Sequence, residues 1–323
     1  ETVKAVPKKE ESKILTKTVD FRGAIPFERE EPNVVVLDMA EFSRNGTDFK
    51  PCENVLKIDE MFRNDLFNMP PIGGDAPWKF LGEKITDYVY LRFKVQSKFE
   101  AKCELAYEEA EEVLLNGVAV PVTDGGRYVD VGIRKMSLPK LKCGENIISI
   151  RAPIAKSVRV ENYYLIGDFD VETVGCDCII QPPRKQLSFG SIVHQGMPFY
   201  GGNIIYKLKI NTPQCDIKIR VNKYCGALLH IYVDEEDKGP LVFDPYIKEI
   251  ENLSCGEHKI EIKFFGNRNN TFAALHNCDE AYGYYSPRAW YTKGEQWSYD
   301  YCFEDTGIMT SPVIEIYEKN KKQ

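Results

Sequence analysis

The chain has 323 residues and a mass of 37.0 kDa, so it is long enough for two domains or one large β unit. Its apolar share of 43% and charged share of 28% are ordinary for a globular protein and argue against a disordered, collagen-like or membrane-spanning class. A net charge of −7 repels polyphosphates and so disfavours a nucleic-acid partner. Four histidines leave little from which to build a histidine-based catalytic or metal site.

The N-terminal segment predicts neither secretion nor membrane insertion. Residues 1–11 are rich in charge and lack the apolar centre of a secretion signal, and no window approaches the roughly 18 apolar residues that a spanning helix needs. We therefore expect a cytoplasmic protein with no membrane partner. Because the chain begins with Glu1 and not with Met, we also expect it to be processed or to be a piece of a longer polypeptide.

Ten cysteines are spread along the chain, too few for a disulfide scaffold of this length. Most of them lie inside apolar, strand-like runs, which predicts reduced and buried thiols. Cys176 and Cys178 are separated by one residue, whereas zinc knuckles use about two to four, and no second pair or histidine cluster is near in sequence. The cysteine pattern therefore predicts no metal site.

Strand patterns recur along the whole chain, and several alternate apolar and polar residues as strands with one buried face do. The clearest runs are residues 33–37, 88–95, 112–115, 146–151, 204–210, 216–221 and 258–264. Glycine- and asparagine-rich turns bound them at the spacing of antiparallel sandwiches. Helical periodicity occurs only near residues 58–68 and 102–112. The sequence therefore predicts an all-β fold.

An internal repeat divides the chain into two halves. Residues 142–150, Lys-Cys-Gly-Glu-Asn-Ile-Ile-Ser-Ile, recur as Ser-Cys-Gly-Glu-His-Lys-Ile-Glu-Ile at 254–262, each after a short hairpin signal. An alternating strand, 169–172 or 313–317, closes each copy. We predict two tandem β-sandwiches that meet near residues 175–183, where two prolines interrupt the pattern. The expected limits are a 1–19 extension, a 20–175 sandwich and a 184–318 sandwich.

These motifs resemble those of a known family. Residues 115–120, with Asn-Gly followed by Val, and the strand entry at 142–150 resemble the sugar-binding jelly roll of family 2 glycoside hydrolases, which has the galactose-binding-like fold. Residues 33–38, 195–202, 265–272 and 307–313 are similar to the C-terminal β region of rhamnosidase-like glycoside hydrolases of gut-type anaerobic bacteria. The resemblance covers most of residues 20–318 and implies two tandem jelly-roll β-sandwiches.

The chain departs from that family by lacking an alternating strand and helix series, so it contains no catalytic barrel. The resemblance therefore implies a non-catalytic, carbohydrate-binding or structural accessory region of a bacterial glycoside hydrolase. Its partners would be carbohydrate and a catalytic domain that lies outside this sequence. Two alternatives stay open: an interaction scaffold that packs on another domain or subunit, and a glycosidase in its own right.

The second half carries the predicted ligand site. Sugar recognition needs flat aromatic faces and planar polar groups, and residues 276–291 are aromatic, polar and irregular. We predict that Trp290, Tyr284 and Tyr285 stack on a sugar and that Arg268, Asn269, His276 and Asn277 bond its hydroxyls. The alternative is that these aromatic residues plug the end of the sandwich or contact a missing catalytic domain.

No carboxylate pair predicts catalysis. Residues 234–237 form the densest acidic run, which is typical of a solvated hairpin tip, and Asp279 and Glu280 are adjacent and so point in different directions. No cofactor is predicted, although a structural calcium would suit this fold. The sequence offers two further sets: calcium ligands at Asp124, Asp130 or Asp168, and a weaker rim site at Tyr128, Asp130 and Arg134.

Overall fold

The computed structural model describes residues 13–69, 77–279 and 287–319. These residues form antiparallel sheets, two α-helices and four short 3-10 helices, which confirms the predicted all-β sandwich class. Nearly all strand pairs are antiparallel, and the one parallel contact joins β15 (Asp177–Gln181) to β6 (Asp87–Ser97). No helix in the described part of the chain is long and apolar enough to cross a membrane.

The strands of the first 181 residues, in chain order, are β1 (Lys13–Asp20), β2 (Ile25–Arg29), β3 (Asn33–Leu37), β4 (Met39–Ser43), β5 (Lys50–Asn54), β6, β7 (Cys103–Tyr107), β8 (Glu112–Leu115), β9 (Val118–Val120), β10 (Arg127–Tyr128), β11 (Asp130–Ser137), β12 (Gly144–Ile154), β13 (Tyr163–Gly167), β14 (Asp170–Val174) and β15. The remaining strands are β16 (Gln186–Leu187), β17 (Ile204–Thr212), β18 (Cys215–Arg220), β19 (Tyr224–Cys225), β20 (Leu228–Val233), β21 (Glu236–Leu241), β22 (Ile247–Leu253), β23 (Gly256–Phe265), β24 (Gly307–Ile308) and β25 (Val313–Lys319). The helices are α1 (Val55–Phe67) and α2 (Asn269–Phe272), with 3-10 turns at Pro77–Phe80, Val193–Gln195, Pro287–Tyr291 and Gly294–Gln296.

Helix α1 confirms the helical signal near residues 58–68. The Asn54 side chain caps it by accepting the Leu56 N–H at 3.1 Å, and Asn68 ends it in the left-handed conformation. Ile58 and Phe62 bury one face against the sandwich. The other helical signal, at 102–112, is wrong, because Cys103–Tyr107 is a strand held between β11 and β13. Its residues pack into the core, and that tertiary pairing overrides a local helical pattern.

The first sandwich is built from β3 to β15. One sheet has the order β10-β11-β7-β13-β3, and the other has β14-β15-β6-β12-β8-β9 with β4 paired to β6. The second sandwich has the sheets β1-β25-β18-β22 and β16-β2-β17-β23-β20-β21. Each sandwich encloses its own cluster of buried apolar side chains.

The two sandwiches share one pairing scheme. The order β3-β13-β7-β11 in the first matches β1-β25-β18-β22 in the second, and β4-β6-β12-β8-β9 matches β2-β17-β23-β20-β21. The strand that corresponds to β25 is therefore β13. The prediction that residues 169–172 correspond to residues 313–317 is wrong. Residues 169–172 lead into β14, a strand of the opposite sheet that pairs with β15.

This scheme groups the residues differently from the expected limits of 20–175 and 184–318. β1 pairs with β25 over residues 13–20, within the expected extension, and β2 pairs with β17. The first sandwich extends to Gln181, since β15 belongs to its sheet. The first sandwich is thus inserted between β2 and β16 of the second, and the second is formed by two separate parts of the chain.

Equivalent turns occupy equivalent positions. Asn116 and Gly117 join β8 to β9 with φ of 53° and 80°, and Asp234 and Glu235 join β20 to β21 with φ of 51° and 69°. Both are the left-handed two-residue turns that fit the twist of a hairpin. The predicted Asn-Gly turn and the predicted acidic hairpin tip are both confirmed.

Candidate functional site

The segment after α2 packs against the first sandwich, and His276 is its most buried predicted ligand. The ring is 5% exposed and stacks on Trp297 with a centroid distance of 4.8 Å. Its Nε2 lies 3.1 Å from the Asp38 carboxylate, and its Nδ1 lies 2.7 Å from the Ser298 carbonyl oxygen. His276 therefore fastens this segment to the first sandwich and offers little to a ligand.

Arg268 and Asn269 are also engaged within the protein. Arg268 Nη2 donates to both oxygens of Glu31 at 2.6 and 2.8 Å, and these charge-assisted bonds hold the guanidinium against that carboxylate. Asn269 Nδ2 donates to the Glu304 carboxylate at 2.9 Å. These contacts favour the alternative that the segment serves packing, at least for these two side chains.

Trp290 and Asn277 lie near His276. Asn277 bonds within its own turn, where its Oδ1 accepts the Asp279 N–H at 3.0 Å. Trp290 is half-buried and lines a cavity of about 20 Å³, together with Asn162 and His276. A cavity of this size holds about one water molecule. Tyr284 and Tyr285 lie outside the described residues, and so does Glu280.

Trp297 and Tyr301, which follow the predicted ligand segment in sequence, prove central to its packing. Lys57 Nζ lies 3.3 Å from the centroid of the Trp297 ring, and His276 stacks on the same indole. The Tyr301 hydroxyl donates to Asp38 at 2.8 Å. Both aromatic residues are thus committed to internal contacts.

An exposed aromatic surface that sequence reasoning missed lies at the end of the first sandwich. Trp78, in the 3-10 turn Pro77–Phe80, is 72% exposed, and Leu81 beside it is 79% exposed. Lys156 Nζ lies 5.4 Å from the centroid of the Phe80 ring, which connects this turn to the loop after β12. One signal was available, because Trp78 is one of only three tryptophans in the sequence.

Polar groups with unusual surroundings lie along the loop between β12 and β13. Burial, with the nearby Glu108 and Asp59 charges, raises the pKa of Glu161 to about 7. Burial also raises the pKa of Asp59 to about 6, although Asp59 accepts the Val160 N–H at 3.0 Å and lies near Arg63. Carboxyl groups with raised pKa values are enriched at functional sites.

Two further features make this loop a candidate for ligand contact. Asn162 Oδ1 is buried and receives no hydrogen bond in the described part of the chain. Arg159 Nη1 lies 3.4 Å from the Tyr291 hydroxyl, which belongs to the aromatic segment. The candidate site, called the Trp78 end below, consists of the 3-10 turn at 77–80, the loop at 155–162 and Tyr291.

The suggested rim residues Tyr128, Asp130 and Arg134 lie on the hairpin of β10 and β11, where Tyr128 pairs with Asp130, and the suggested calcium ligands bond within the protein. Asp124 bonds the Arg127 side chain at 2.9 Å, Asp130 accepts the Gly132 N–H, and Asp168 bonds Arg29 at 2.6 Å. Within the described ranges, no group of three or more His, Cys, Asp or Glu side chains is arranged to hold a metal ion. Tyr128 is buried and packs against Tyr164, with ring centroids 5.8 Å apart.

The cysteines differ in part from the expectation of buried thiols. All ten are free, but only Cys103, Cys178 and Cys215 are buried. Cys52, Cys143, Cys255 and Cys278 are exposed, because Cys52 takes an outward position on β5 and the other three lie outside the strands.

No protein-family model and no curated protein matches the sequence. Among solved structures, it is similar to a rhamnosidase from Novosphingobium sp. PP1Y, at 14% identity and a TM-score of 0.30, over 72% of this chain and 23% of that one. A β-D-mannosidase from Dictyoglomus thermophilum matches at 14% identity and a TM-score of 0.29, over 76% and 32% of the two chains. An anti-sigma factor domain-containing protein from Clostridium clariflavum matches at 10% identity and a TM-score of 0.20, over 71% and 89%.

The chain thus spans about a third or less of the length of the two glycosidases. TM-scores at this level carry no information about a shared site. The function is therefore argued from the chain's own residues.

Proposed function

We propose that this chain is a non-catalytic, carbohydrate-binding pair of β-sandwiches that accompanies a bacterial glycoside hydrolase, and that sugar binds at the Trp78 end. The observation that carries the proposal is the solvent-exposed indole of Trp78, in a turn whose Phe80 ring contacts Lys156 of the polar loop at 155–162. The link to a bacterial glycoside hydrolase comes from the motif resemblance.

The chemistry of this end suits a pyranose. An exposed indole offers a flat face for the apolar side of the ring, and Glu161 and the Arg159–Tyr291 pair supply acceptors and donors for hydroxyl groups. Glu161 receives no hydrogen bond from the described residues, so it is available as an acceptor when ionised. Trp290 and Asn277 remain proposed contacts, as do Tyr284 and Tyr285, which lie outside the described residues.

The shared pairing scheme supports the further proposal that the two sandwiches are duplicates of one unit. Seven strands of the first sandwich correspond in order to seven of the second: β6, β7, β8, β9, β11, β12 and β13 to β17, β18, β20, β21, β22, β23 and β25. The repeated Cys-Gly-Glu turn leads into β12 in the first sandwich and into β23 in the second. A duplicated accessory module would allow one copy to bind while the other supports a neighbouring domain.

A glycan array followed by calorimetry tests sugar binding. We expect Trp78→Ala to weaken binding of the best array ligand about five- to tenfold, because loss of an aromatic contact costs about 1 kcal/mol. Phe243→Ala is the matched control, since that ring is 82% exposed on the second sandwich. Unchanged affinity in Trp78→Ala would contradict the proposed site, and no glycan binding at all would contradict the function.

A second candidate is an interaction scaffold. Leu81 favours it, because a leucine that is 79% exposed beside an exposed tryptophan is better suited to a protein surface than to a sugar. A Leu81→Ala variant separates the two functions. Docking of a catalytic domain would be weakened by this substitution, whereas sugar stacking on Trp78 would not.

The glycosidase alternative is favoured by Asp59 and Glu161 alone, since a glycosidase needs one acid with a raised pKa and one ionised carboxylate. Hydrolysis of aryl glycosides by the purified chain tests it. Activity that is lost in Glu161→Gln would support this alternative and contradict the non-catalytic proposal.

A further inference from the structure

A cleft of about 940 Å³ lies between the two sandwiches, away from the Trp78 end. Its volume is within the range of about 300–1,000 Å³ that holds small molecules. The charged residues that line it include Arg29 on β2, Lys102 and Glu104 around the start of β7, Asp168 just after β13, and Arg184 and Lys185 in the linker before β16.

Hydrogen bonds and ion pairs to buried residues hold one wall of the cleft. The carboxylate of Asp170, a buried residue, receives Arg184 Nε at 2.5 Å and lies 3.5 Å from Arg29 Nη1. The Arg29 side chain is only 8% exposed and also donates to the Phe169 carbonyl oxygen at 3.1 Å and to Asp168 at 2.6 Å. These bonds join β2 of the second sandwich to β14 of the first and fix the cleft's geometry.

The acidic residues that line the cleft are neutralised. Asp168 pairs with Arg29, and Glu104 pairs with Lys135 at 3.1 Å. The other two acids, Glu30 and Glu31, pair with cations from the second sandwich, Lys263 and Arg268, at 2.6 Å each. Each carboxylate therefore still presents lone pairs to the cleft while its charge is balanced.

Two lysines that line the cleft are not paired with an acidic side chain among the described residues. Lys102 and Lys185 are exposed, line the cleft, and make no ion pair within the described part of the chain. Arg184 is balanced by Asp170. The lining charges with their partners therefore leave an excess of about two positive charges, in a protein whose net charge is −7. A local excess of this sign attracts an anionic group.

We propose that this cleft binds a saccharide that carries carboxylate or sulfate groups. The ammonium groups of Lys102 and Lys185 take the anionic substituents, and the neutralised carboxylates accept hydrogen bonds from hydroxyl groups. A saccharide acid offers both functions in one molecule. An acidic peptide offers the negative charges without hydroxyl groups to donate to the carboxylates of the cleft, so it satisfies only part of the site.

The test is calorimetric binding of trigalacturonate, its methyl ester, a chondroitin sulfate tetrasaccharide and triglutamate to the full chain. We expect trigalacturonate or the sulfated tetrasaccharide to bind at least about tenfold more tightly than the methyl ester or the peptide, with affinity that falls as salt is raised. Which of the two binds distinguishes carboxylate from sulfate.

Substitutions locate the binding. Lys102→Gln with Lys185→Gln is expected to weaken it about tenfold, because two unpaired cations are removed. Lys142→Gln with Lys223→Gln is the matched control, since both are exposed lysines outside the cleft, and it is expected to change affinity less than twofold. Equal binding of the ester, equal binding of triglutamate, or full affinity in the cleft variant would each overturn the proposal. Trp78→Ala is expected to leave binding in the cleft unchanged. A failure of the cleft proposal can therefore be distinguished from a failure of the proposed sugar site at the Trp78 end.

Discussion

Asp234 and His258 form an ionisable pair in the second sandwich at the position where the first sandwich has a pair of amides. Asp234 Oδ2 lies 2.6 Å from His258 Nδ1, and the ring's Nε2 lies 2.9 Å from the Ser254 carbonyl oxygen. In the first sandwich, Asn116 Nδ2 donates to Asn146 Oδ1 at 3.1 Å. Each pair connects the hairpin turn to the strand that follows the repeated Cys-Gly-Glu motif. Because only Asp234 and His258 are ionisable, this connection depends on pH in the second sandwich and not in the first.

We predict that the Asp234–His258 pair contributes most to the stability of the second sandwich between about pH 4 and pH 6.5. Burial lowers the pKa of His258, but the bonds to Asp234 and Ser254 outweigh it, and the net pKa is raised above 6.5. The contribution of His258 to stability is therefore fully present below its pKa in the unfolded chain. It is lost as pH rises through its higher pKa in the folded protein. Burial raises the pKa of Asp234 while His258 and the Lys259 N–H lower it, with a net decrease below 3.8, so that contribution is lost as pH falls.

Urea unfolding at several pH values measures this dependence. The double variant Asp234→Asn, His258→Asn reproduces the amide pair of the first sandwich and is expected to flatten the pH profile between about pH 5 and pH 8. An unchanged profile in the double variant would show that other groups set the pH dependence.

Tyr301→Phe is expected to destabilise the protein by about 1–2 kcal/mol. The substitution leaves the ring packed against Phe199, with centroids 5.0 Å apart, but removes the hydroxyl that donates to buried Asp38 at 2.8 Å. The free energy of unfolding in urea is the measurement. Tyr299→Phe is the control, since Tyr299 is 59% exposed, and a loss as large in the control would argue against the Asp38 contact as the cause.

Arg63→Met is expected to cost about 3 kcal/mol or more. The Arg63 side chain is fully buried and donates to the carbonyl oxygens of Ala155, Lys156 and Val158 at 2.7, 3.3 and 3.3 Å. Methionine fills similar space but removes these three hydrogen bonds and the cation near the Asp59 carboxylate. Thermal or urea unfolding measures the loss.

Arg44→Met is the comparison for that substitution. Arg44 pairs with Asp65 at 3.2 Å on the surface, and exposed pairs contribute about 0–1 kcal/mol. Equal losses in the two variants would contradict the structural role given to Arg63.

The strands and turns could be predicted from the sequence because period-two alternation and left-handed turns are local properties. Residues 33–37 and 112–115 match β3 and β8, and the Asn116-Gly117 turn is where it was expected. The insertion of one sandwich into the other could not be predicted, because the pairing of β1 with β25 joins residues about 300 positions apart and leaves no local pattern.

The candidate site was predicted less well than the fold. Described residues of this region such as His276, Trp297 and Tyr301 do contact one another, but composition does not reveal whether a side chain faces a ligand or a neighbour. His276 and Arg268 face Asp38 and Glu31, which are more than 230 residues away in sequence. The raised pKa of Glu161 likewise depends on burial by distant elements, and no pattern around residue 161 indicates it.

The inserted arrangement predicts that the two sandwiches differ in their tolerance of truncation. A fragment of residues 30–182 contains every strand of the first sandwich and is expected to fold, whereas a fragment of residues 184–319 lacks β1 and β2 and exposes the edges of β25 and β17. We expect the second fragment to be unfolded or aggregated, and a version in which residues 13–29 are joined to 184–319 by a short flexible linker to recover a cooperative unfolding transition. Circular dichroism and NMR dispersion of the three fragments provide the measurement. If residues 184–319 alone fold as cooperatively as the linked version, then β1 and β2 are not needed to complete the second sandwich.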